Sequence, residues 1–400
     1  MKAPHQRGNA MKNLLAGTAI IAIAGVVAVG TPTAAQSQEF NLTFQSTWSA
    51  ADPHHHNFER WAAEGEQHAS GRVTVETLPA GSVVPAFEVL DAVSDQVIDG
   101  GHAWSGYWVG KNRASVMVSS GPGGPFGMDM VDYWGWQWNG GGREVNNDFF
   151  QNVLNANVEW MPAGSSGPQS FGWYNKELNS AADLEGLRLR IPGIPGEMYG
   201  NMGLSILTLP GGEIVPAGER GVIDAAEFVN PYHDEALGFE DVWSIHYAPA
   251  YHETVTVMEV LFNKDIWDSM PEDLQNIILT TTQAHYFWWD THKMPENRGA
   301  MERLTEKGGE FRRTPEDILA ESLNVWHDIL EAEYNINPAF KAIADSQLDY
   351  AERNVVARRI LEPNWKTIAD VYWAPGGLVE SGIFEIEYTA PDYYELFQGN

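Results

Sequence analysis

The chain of 400 residues carries 54 acidic and 24 basic side chains, a formal charge of −30 at pH 7, and no cysteine. Such acidity argues against nucleic acid or an anionic membrane as a partner, because both are bound through basic patches. The lack of cysteine excludes disulfides, thiolate metal sites and cysteine nucleophiles. A hydrophobic fraction of 44% is typical of a globular protein, and the length allows two domains.

The beginning of the chain has the pattern of a secretory signal peptide. Three basic side chains precede a short apolar run at residues 14–29, and small residues follow as far as Ala35. A membrane anchor is the alternative, but the run is short and a cleavage pattern follows it. We therefore predict a signal peptide at residues 1–35 and a mature protein in the periplasm.

The rest of the chain alternates between strand and helix patterns. Alternating apolar residues predict strands at 40–48, 73–78, 102–107, 158–163, 254–263 and 310–314. Helical periodicity predicts helices at 57–70, 85–96, 132–140, 144–155, 271–306 with an interruption near Pro295, 315–334, and 338–372 with a break at Pro363. This rhythm predicts βαβ units and a largely parallel sheet.

Three consecutive histidines, His54, His55 and His56, follow Pro53. Metal ligands need a defined geometry, whereas a proline here predicts a loop that leads into a helix. We therefore interpret the three histidines as solvated residues before a helix rather than as metal ligands.

An arginine stands where a strand pattern ends. Residues 187–191 alternate as Leu-Arg-Leu-Arg-Ile, and a Pro-Gly pair follows, so Arg190 is placed to point into a cleft. Glu227, Glu253 and Gln169 lie near other strand or loop boundaries. One cation, two carboxylates and an amide suit the capture of a small carboxylate beside a hard metal ion, since the ion would meet only oxygen donors. The alternative is a surface salt bridge for the arginine and ordinary surface roles for the others.

Several segments together resemble the solute receptors of TRAP transporters, in the branch that binds 2-oxo acids and related carboxylates with a metal ion. The resemblance covers about residues 40–373. It rests on Leu-Pro-Ala-Gly at 78–81, Gly-Tyr-Trp-Val-Gly-Lys-Asn at 106–112, Pro-Phe-Gly at 125–127, Leu-Arg-Leu-Arg-Ile-Pro-Gly at 187–193, Leu-Pro-Gly-Gly-Glu-Ile at 209–214, Gly-Val-Ile-Asp-Ala-Ala-Glu at 221–227 and Pro-Tyr at 231–232.

The resemblance implies an α/β fold, that of a two-lobed periplasmic solute-binding protein with a cleft between the lobes and long C-terminal helices. Lobe I would comprise residues 36–166 and 254–310. Lobe II and the long helices would comprise residues 167–253 and 311–373, and residues 374–400 would form an acidic extension.

The resemblance also implies roles for the site residues. Arg190 is similar to the arginine that clamps the ligand carboxylate, and the other ligand-binding residues would be Gln169, Tyr107 and Phe228. The ligands of the metal ion, sodium or calcium, would be Gln169, Glu227, Glu253 and the backbone carbonyl of Phe228. Phe228 replaces a tryptophan that is usual in this branch, which changes the aromatic wall of the site.

The implied function is that of an extracytoplasmic receptor, not an enzyme. It would bind a small 2-oxo or 2-hydroxy monocarboxylic acid, deliver it to the membrane TRAP permease subunits, and form a homodimer through its C-terminal helices. Two other classes stay open: a periplasmic hydrolase with Glu227 and Glu253 as its acid–base pair, and a sugar receptor of an ABC system whose tryptophans stack on the ligand. Turnover would reveal the first class, and the chemical class of the ligand would reveal the second.

Overall fold

A computed structural model describes residues 39–119 and 121–375. The predicted signal peptide and nearly all of the predicted C-terminal extension lie outside these residues. Within them, each helix is too short or too polar to cross a membrane.

Five strands form the first sheet. They are β1 (Phe40–Ser46), β2 (Val73–Leu78), β3 (Gly100–Ala103), β4 (Val158–Gly167) and β10 (Thr256–Asn263). Their order is β2-β1-β3-β10-β4. β1 runs parallel to β2 and β3, whereas β10 runs antiparallel to β3 and β4.

Six shorter strands form the second sheet. They are β5 (Gly172–Tyr174), β6 (Arg188–Arg190), β7 (Ser205–Leu207), β8 (Ala225–Ala226), β9 (Ile245–Ala248) and β11 (Glu310–Arg313). Their order is β11-β9-β5-β8-β6-β7. β5 is antiparallel to both of its neighbours, and the remaining pairs are parallel.

Both sheets are therefore mixed, and the prediction of a largely parallel sheet was wrong. The reason is that the chain passes directly from β4 in the first sheet to β5 in the second, and directly back from β9 to β10. These two crossings place β4 and β10 side by side in opposite directions.

Thirteen α-helices occur in the described residues. They are α1 (Pro53–His68), α2 (Val89–Ser94), α3 (Ser115–Ser119), α4 (Met130–Asn139), α5 (Gly142–Asp148), α6 (Gly193–Asn201), α7 (Ile214–Glu219), α8 (Pro231–Leu237), α9 (Lys264–Ser269), α10 (Glu272–Glu306), α11 (Glu316–Ile336), α12 (Pro338–Leu361) and α13 (Trp365–Trp373).

Several predicted boundaries were wrong. Helix α1 begins at Pro53, because the side chain of Asp52 accepts a hydrogen bond from the backbone of His54 and caps the helix there. Helix α10 continues through Pro295 without the predicted interruption. Strand β3 ends at Ala103, and a 3₁₀ turn at Ser105–Trp108 replaces the rest of the predicted strand. The predicted break at Pro363 is present between α12 and α13.

The first of the two C-terminal helices, α12, packs against helices that connect β3 to β4 of the first sheet. The amide of Gln347 donates to the carbonyl of Met117 on α3 at 2.6 Å, and the Trp136 indole on α4 donates to Ser346 Oγ at 3.1 Å. The boundaries of the two lobes stay a prediction.

One cluster of buried apolar residues contains members from both sheets. Met258 belongs to β10 of the first sheet, Trp173 belongs to β5 of the second, and Trp48, Trp104 and Phe228 follow β1, β3 and β8. Because the ends of strands from both sheets meet in this cluster, polar residues at those ends face a common space.

Candidate functional site

A cavity lies at these strand ends. Its lining residues are Trp48, His54, Trp104, Tyr107, Gln169, Arg190, Pro192, Glu227, Phe228, Val229, Glu253 and Met258. The structure thus brings together all six of the residues that the sequence singled out.

Arg190 is held in place by backbone carbonyls. Its Nε and Nη2 donate to the carbonyl of Leu209 at 3.0 and 2.8 Å, and its Nη1 donates to the carbonyl of Glu227 at 2.8 Å. The side chain is 1% exposed. These bonds fix the guanidinium and leave two of its five N–H groups for another partner.

The strand register explains why Glu227 is next to this arginine. Arg190 at the end of β6 pairs with Ala226 at the end of parallel β8, and the backbone N–H of Glu227 donates to the carbonyl of Arg190 at 3.0 Å. The Glu227 carboxylate lies 3.6 Å from Arg190 Nη1. Its Oε1 is buried and has no hydrogen-bond partner.

Gln169 and Glu253 lie on the two chain segments that cross between the sheets. The backbone N–H of Gln169 donates to the carbonyl of Glu253 at 2.9 Å. The Gln169 amide donates to Ser166 Oγ at 3.2 Å, so its carbonyl oxygen is free for another contact. Glu253 Oε2 accepts a hydrogen bond from Thr256 Oγ1 at 2.8 Å.

The two carboxyl groups are unfavourable as anions in this setting. Burial raises the pKa of Glu227 to about 8, although Arg190 opposes the change. Burial also raises the pKa of Glu253 to about 8, and the neighbouring charge of Glu227 adds to this effect. A bound cation would reverse the balance by stabilising both carboxylates.

The donor set fits a hard cation. Glu227, Glu253 and Gln169 offer side-chain oxygens, one of which is the unpartnered Glu227 Oε1. Sodium and calcium prefer oxygen ligands, whereas zinc and copper favour nitrogen or sulfur. Whether the Phe228 carbonyl contributes stays a prediction.

The aromatic wall depends on a close approach of the Phe228 ring to Gly211. A side chain at Gly211 would lie 2.8 Å from the Phe228 ring, so only glycine lets the ring lie against this loop. The same loop supplies the Leu209 carbonyl that binds Arg190. The segment at 209–214 therefore supports both the arginine and the wall. Tyr107 closes another side, with its ring 5.0 Å from that of Trp104.

Two supporting residues escaped the sequence reasoning. Tyr199 and His252 are both buried, and the Tyr199 hydroxyl lies 2.9 Å from His252 Nδ1. His252 Nε2 lies 3.7 Å from Glu227 Oε1. Burial lowers the pKa of His252 to about 4, so its ring is neutral at pH 7. The adjacency of His252 to Glu253 was the one available signal.

The interpretation of the three histidines was wrong for two of them. His54 and His55 lie in the first turn of α1 and are buried, and only His56 is exposed. His54 lines the cavity because α8 and α10 cover the start of α1, with the ring of Trp289 6.3 Å away.

The fold and the cavity define a solute-binding protein, in which two mixed sheets supply a small cavity with a fixed arginine. A family model for bacterial extracellular solute-binding protein, family 7 (DctP), matches residues 44–335. The chain belongs to this family, and the predicted family resemblance is confirmed.

Similar proteins share most of the chain. The monocarboxylate 2-oxoacid-binding periplasmic protein of Nostoc sp. is 33% identical over 300 residues, which is 75% of this chain and 81% of the relative. Crystal structures show the same two-lobed fold. A TRAP solute-binding protein from Colwellia psychrerythraea, with bound calcium and pyruvate, has a TM-score of 0.76 and 26% identity over 84% of this chain and 100% of its own. One from Pseudoalteromonas atlantica, with bound sodium and pyruvate, has a TM-score of 0.74 and 25% identity over 81% and 97%.

Proposed function

We propose that this protein is the periplasmic receptor of a TRAP-type transporter. It binds a small 2-oxo or 2-hydroxy monocarboxylate together with a sodium or calcium ion and delivers the solute to membrane permease subunits. The observation that carries the proposal is the buried Arg190, with two N–H groups left over, beside a set of oxygen donors in one small cavity. The pyruvate and the sodium or calcium in the two related crystal structures support it.

In the proposed complex, the two remaining N–H groups of Arg190 bind the ligand carboxylate, because a planar guanidinium matches a carboxylate in geometry. Gln169, Glu227, Glu253 and the carbonyl of Phe228 hold the cation. The ion neutralises the glutamates and attracts the 2-oxo or 2-hydroxy oxygen of the solute. Tyr107 and Phe228 cover the rest of the small ligand.

The proposal predicts a preference for 2-substituted acids. We expect pyruvate or lactate to bind about 100-fold more tightly than propionate, because the plain acid leaves one buried polar contact unmade at a cost of about 2–3 kcal/mol. Calorimetry with the three acids measures this preference.

The same ligands distinguish the three classes of protein. Equimolar binding without turnover supports a receptor for carboxylates. Turnover would support the hydrolase, and binding of a neutral sugar would support the ABC-type receptor.

Cation binding is predicted to release protons near neutral pH. In the cation-free protein, burial raises the pKa of Glu227 and Glu253 to about 8, so both are largely protonated at pH 7. Since a cation binds the ionised forms, its affinity should rise with pH and level off only above the two pKa values, at about pH 9. Calorimetry of calcium binding in two buffers of different ionisation enthalpy measures the released protons. An identical heat in both buffers at pH 7 would contradict this expectation.

We also propose a homodimer formed through the C-terminal helices. Helices α12 and α13 expose large apolar side chains, including Ile360, Leu361 and Trp365, which are 76%, 82% and 66% exposed. Several large apolar side chains exposed close together in the sequence support an interaction site there, and a related Bordetella bronchiseptica structure is a dimer.

The dimer is tested by replacing Leu361 and Trp365 together with glutamate. We expect the wild-type protein to have a dimeric mass by light scattering at micromolar concentration, and the double variant to be a monomer. Replacement of Phe287 with glutamate is the matched control, because Phe287 is 71% exposed but lies on α10. This variant should keep the dimeric mass. A monomeric wild-type protein would refute the dimer.

A further inference from the structure

A second group of buried polar side chains lies beside the cavity. Asp52 caps α1, His54 lies in the first turn of α1, and His233 lies in the first turn of α8. They are 1%, 0% and 0% exposed. One potential ligand atom from each residue lies within 4.8 Å of the other two. No other group of three or more histidine, aspartate or glutamate side chains meets this criterion among the described residues.

The hydrogen bonds fix which nitrogen of His233 carries its proton. His233 Nδ1 lies 3.1 Å from Asp52 Oδ1. An ionised carboxylate only accepts hydrogen bonds, so Nδ1 is the donor and Nε2 keeps a free lone pair. This Nε2 is buried and has no partner. A histidine whose second nitrogen is oriented by a carboxylate is the usual arrangement of a metal-binding imidazole.

The neighbouring His54 is also unsatisfied. Both of its ring nitrogens are buried without a hydrogen-bond partner, and its ring centroid lies 4.1 Å from that of His233. Three unpartnered nitrogens in one place are unfavourable in a protein interior, where buried polar groups are normally paired. A group that accepts one electron pair from each ring would satisfy two of these three nitrogens.

The nearby charges allow a cation. Lys293 is a basic group that acts on both histidines, and its ammonium is held by Asp290 and by the Ser165 carbonyl and hydroxyl oxygens. Asp290 balances the charge of Lys293. Burial raises the pKa of Asp52, and a bound cation nearby would favour its ionised form. Two imidazoles, one of them oriented by a carboxylate, are ligands typical of zinc and related ions, and water would complete the coordination.

We propose that His54 and His233, with Asp52 orienting the His233 ring, bind a divalent transition-metal ion of the zinc type. This site differs in chemistry from the oxygen-only set of Gln169, Glu227 and Glu253, which suits sodium or calcium. It does not depend on the proposed transport function. Because His54 also lines the cavity, an ion held here would lie next to the bound solute.

Cobalt(II) is the probe for this site, because its visible absorption reports the ligands that surround it. The full chain, purified without a histidine tag and freed of metal by a chelator, is titrated with cobalt and then with zinc as a competitor. We expect one cobalt ion per chain at micromolar concentration, with the intense absorption of a four-coordinate site, and its displacement by zinc. A wild-type protein without this absorption at equimolar cobalt would overturn the proposal, whatever the variants do.

Three variants locate the ion. His233→Gln should weaken cobalt binding by at least about 100-fold, since it removes a ligand while keeping an amide of similar size. His246→Gln is the matched control, because His246 is equally buried with both ring nitrogens unpartnered but belongs to no such group. Glu253→Gln should leave the cobalt spectrum unchanged. Equal cobalt affinity in the wild type and His233→Gln, or loss of the spectrum in Glu253→Gln, would contradict the assignment.

Discussion

Replacement of Arg190 by methionine is expected to abolish binding of the carboxylate solute. The guanidinium is fully buried, and its two remaining N–H groups are the cationic donors that the cavity offers to an anion. Removing one partner of a buried charge pair costs about 2–5 kcal/mol, which corresponds to a loss of about 30-fold or more in affinity. Calorimetry with pyruvate in the presence of calcium measures the loss.

Arg188→Met is the matched control, because this arginine is two residues away on the same strand but is 42% exposed and paired with Asp224 at 2.6 Å. Its replacement should leave the affinity unchanged. Arg190→Lys keeps the charge but loses the planar fork, so it should bind with intermediate affinity. The lost bonds to Leu209 and Glu227 will also lower the stability of Arg190→Met, so binding is measured well below its unfolding midpoint. Unchanged affinity in that variant would disprove the assignment of the carboxylate clamp.

The arginine and one glutamate were accessible to sequence reasoning because local patterns mark both. One strand ends at Arg190, shortly before a Pro-Gly pair, and a second short strand ends just before Glu227. The two strands are parallel, so their carboxyl ends lie at the same edge of the sheet. Their pairing across β6 and β8 puts the two side chains at one edge. The grouping of Gln169 and Glu253 with these two residues came from the family resemblance, since no local signal in the sequence connects Gln169 with Glu253.

The rest of the site depends on contacts between distant parts of the chain. The polar segment that contains His54 has the composition of a surface turn, and its burial comes from α8 and α10, which follow much later in the sequence. His233 contacts Asp52 although 181 residues separate them in the sequence.

The two chain crossings between the sheets also depend on distant parts of the chain. The alternating strand–helix rhythm therefore predicted parallel pairing, whereas β4 and β10 are antiparallel. Helix α10 continues through Pro295 because residues on both sides, including Trp289 and Ala300, are buried.

Replacement of Glu253 by glutamine is expected to uncouple solute binding from the cation. If one ion touches Glu227, Glu253, Gln169 and the solute, then ion and solute strengthen each other's binding by the same factor. Coupling of this kind is typically about 1–3 kcal/mol, or about 5–150-fold. Solute affinity of the wild type should fall by that factor in calcium-free, sodium-free buffer, and restoring one ion at a time identifies which of them acts. Glu253→Gln should have the lowered affinity in every buffer.

Glu259→Gln provides the control for this experiment. Glu259 lies on strand β10, which begins shortly after Glu253, and burial likewise raises the pKa of its carboxyl group to about 8. It accepts hydrogen bonds from Ser105 and Trp160 and does not line the cavity. A glutamine there keeps an oxygen for these donors, so both the affinity and its dependence on the cation should persist. If wild-type affinity is the same with and without calcium and sodium, the cation half of the site is wrong. Arg190 alone would then hold the carboxylate, and Glu227 and Glu253 would remain protonated at neutral pH, since burial would no longer be offset by a bound positive charge.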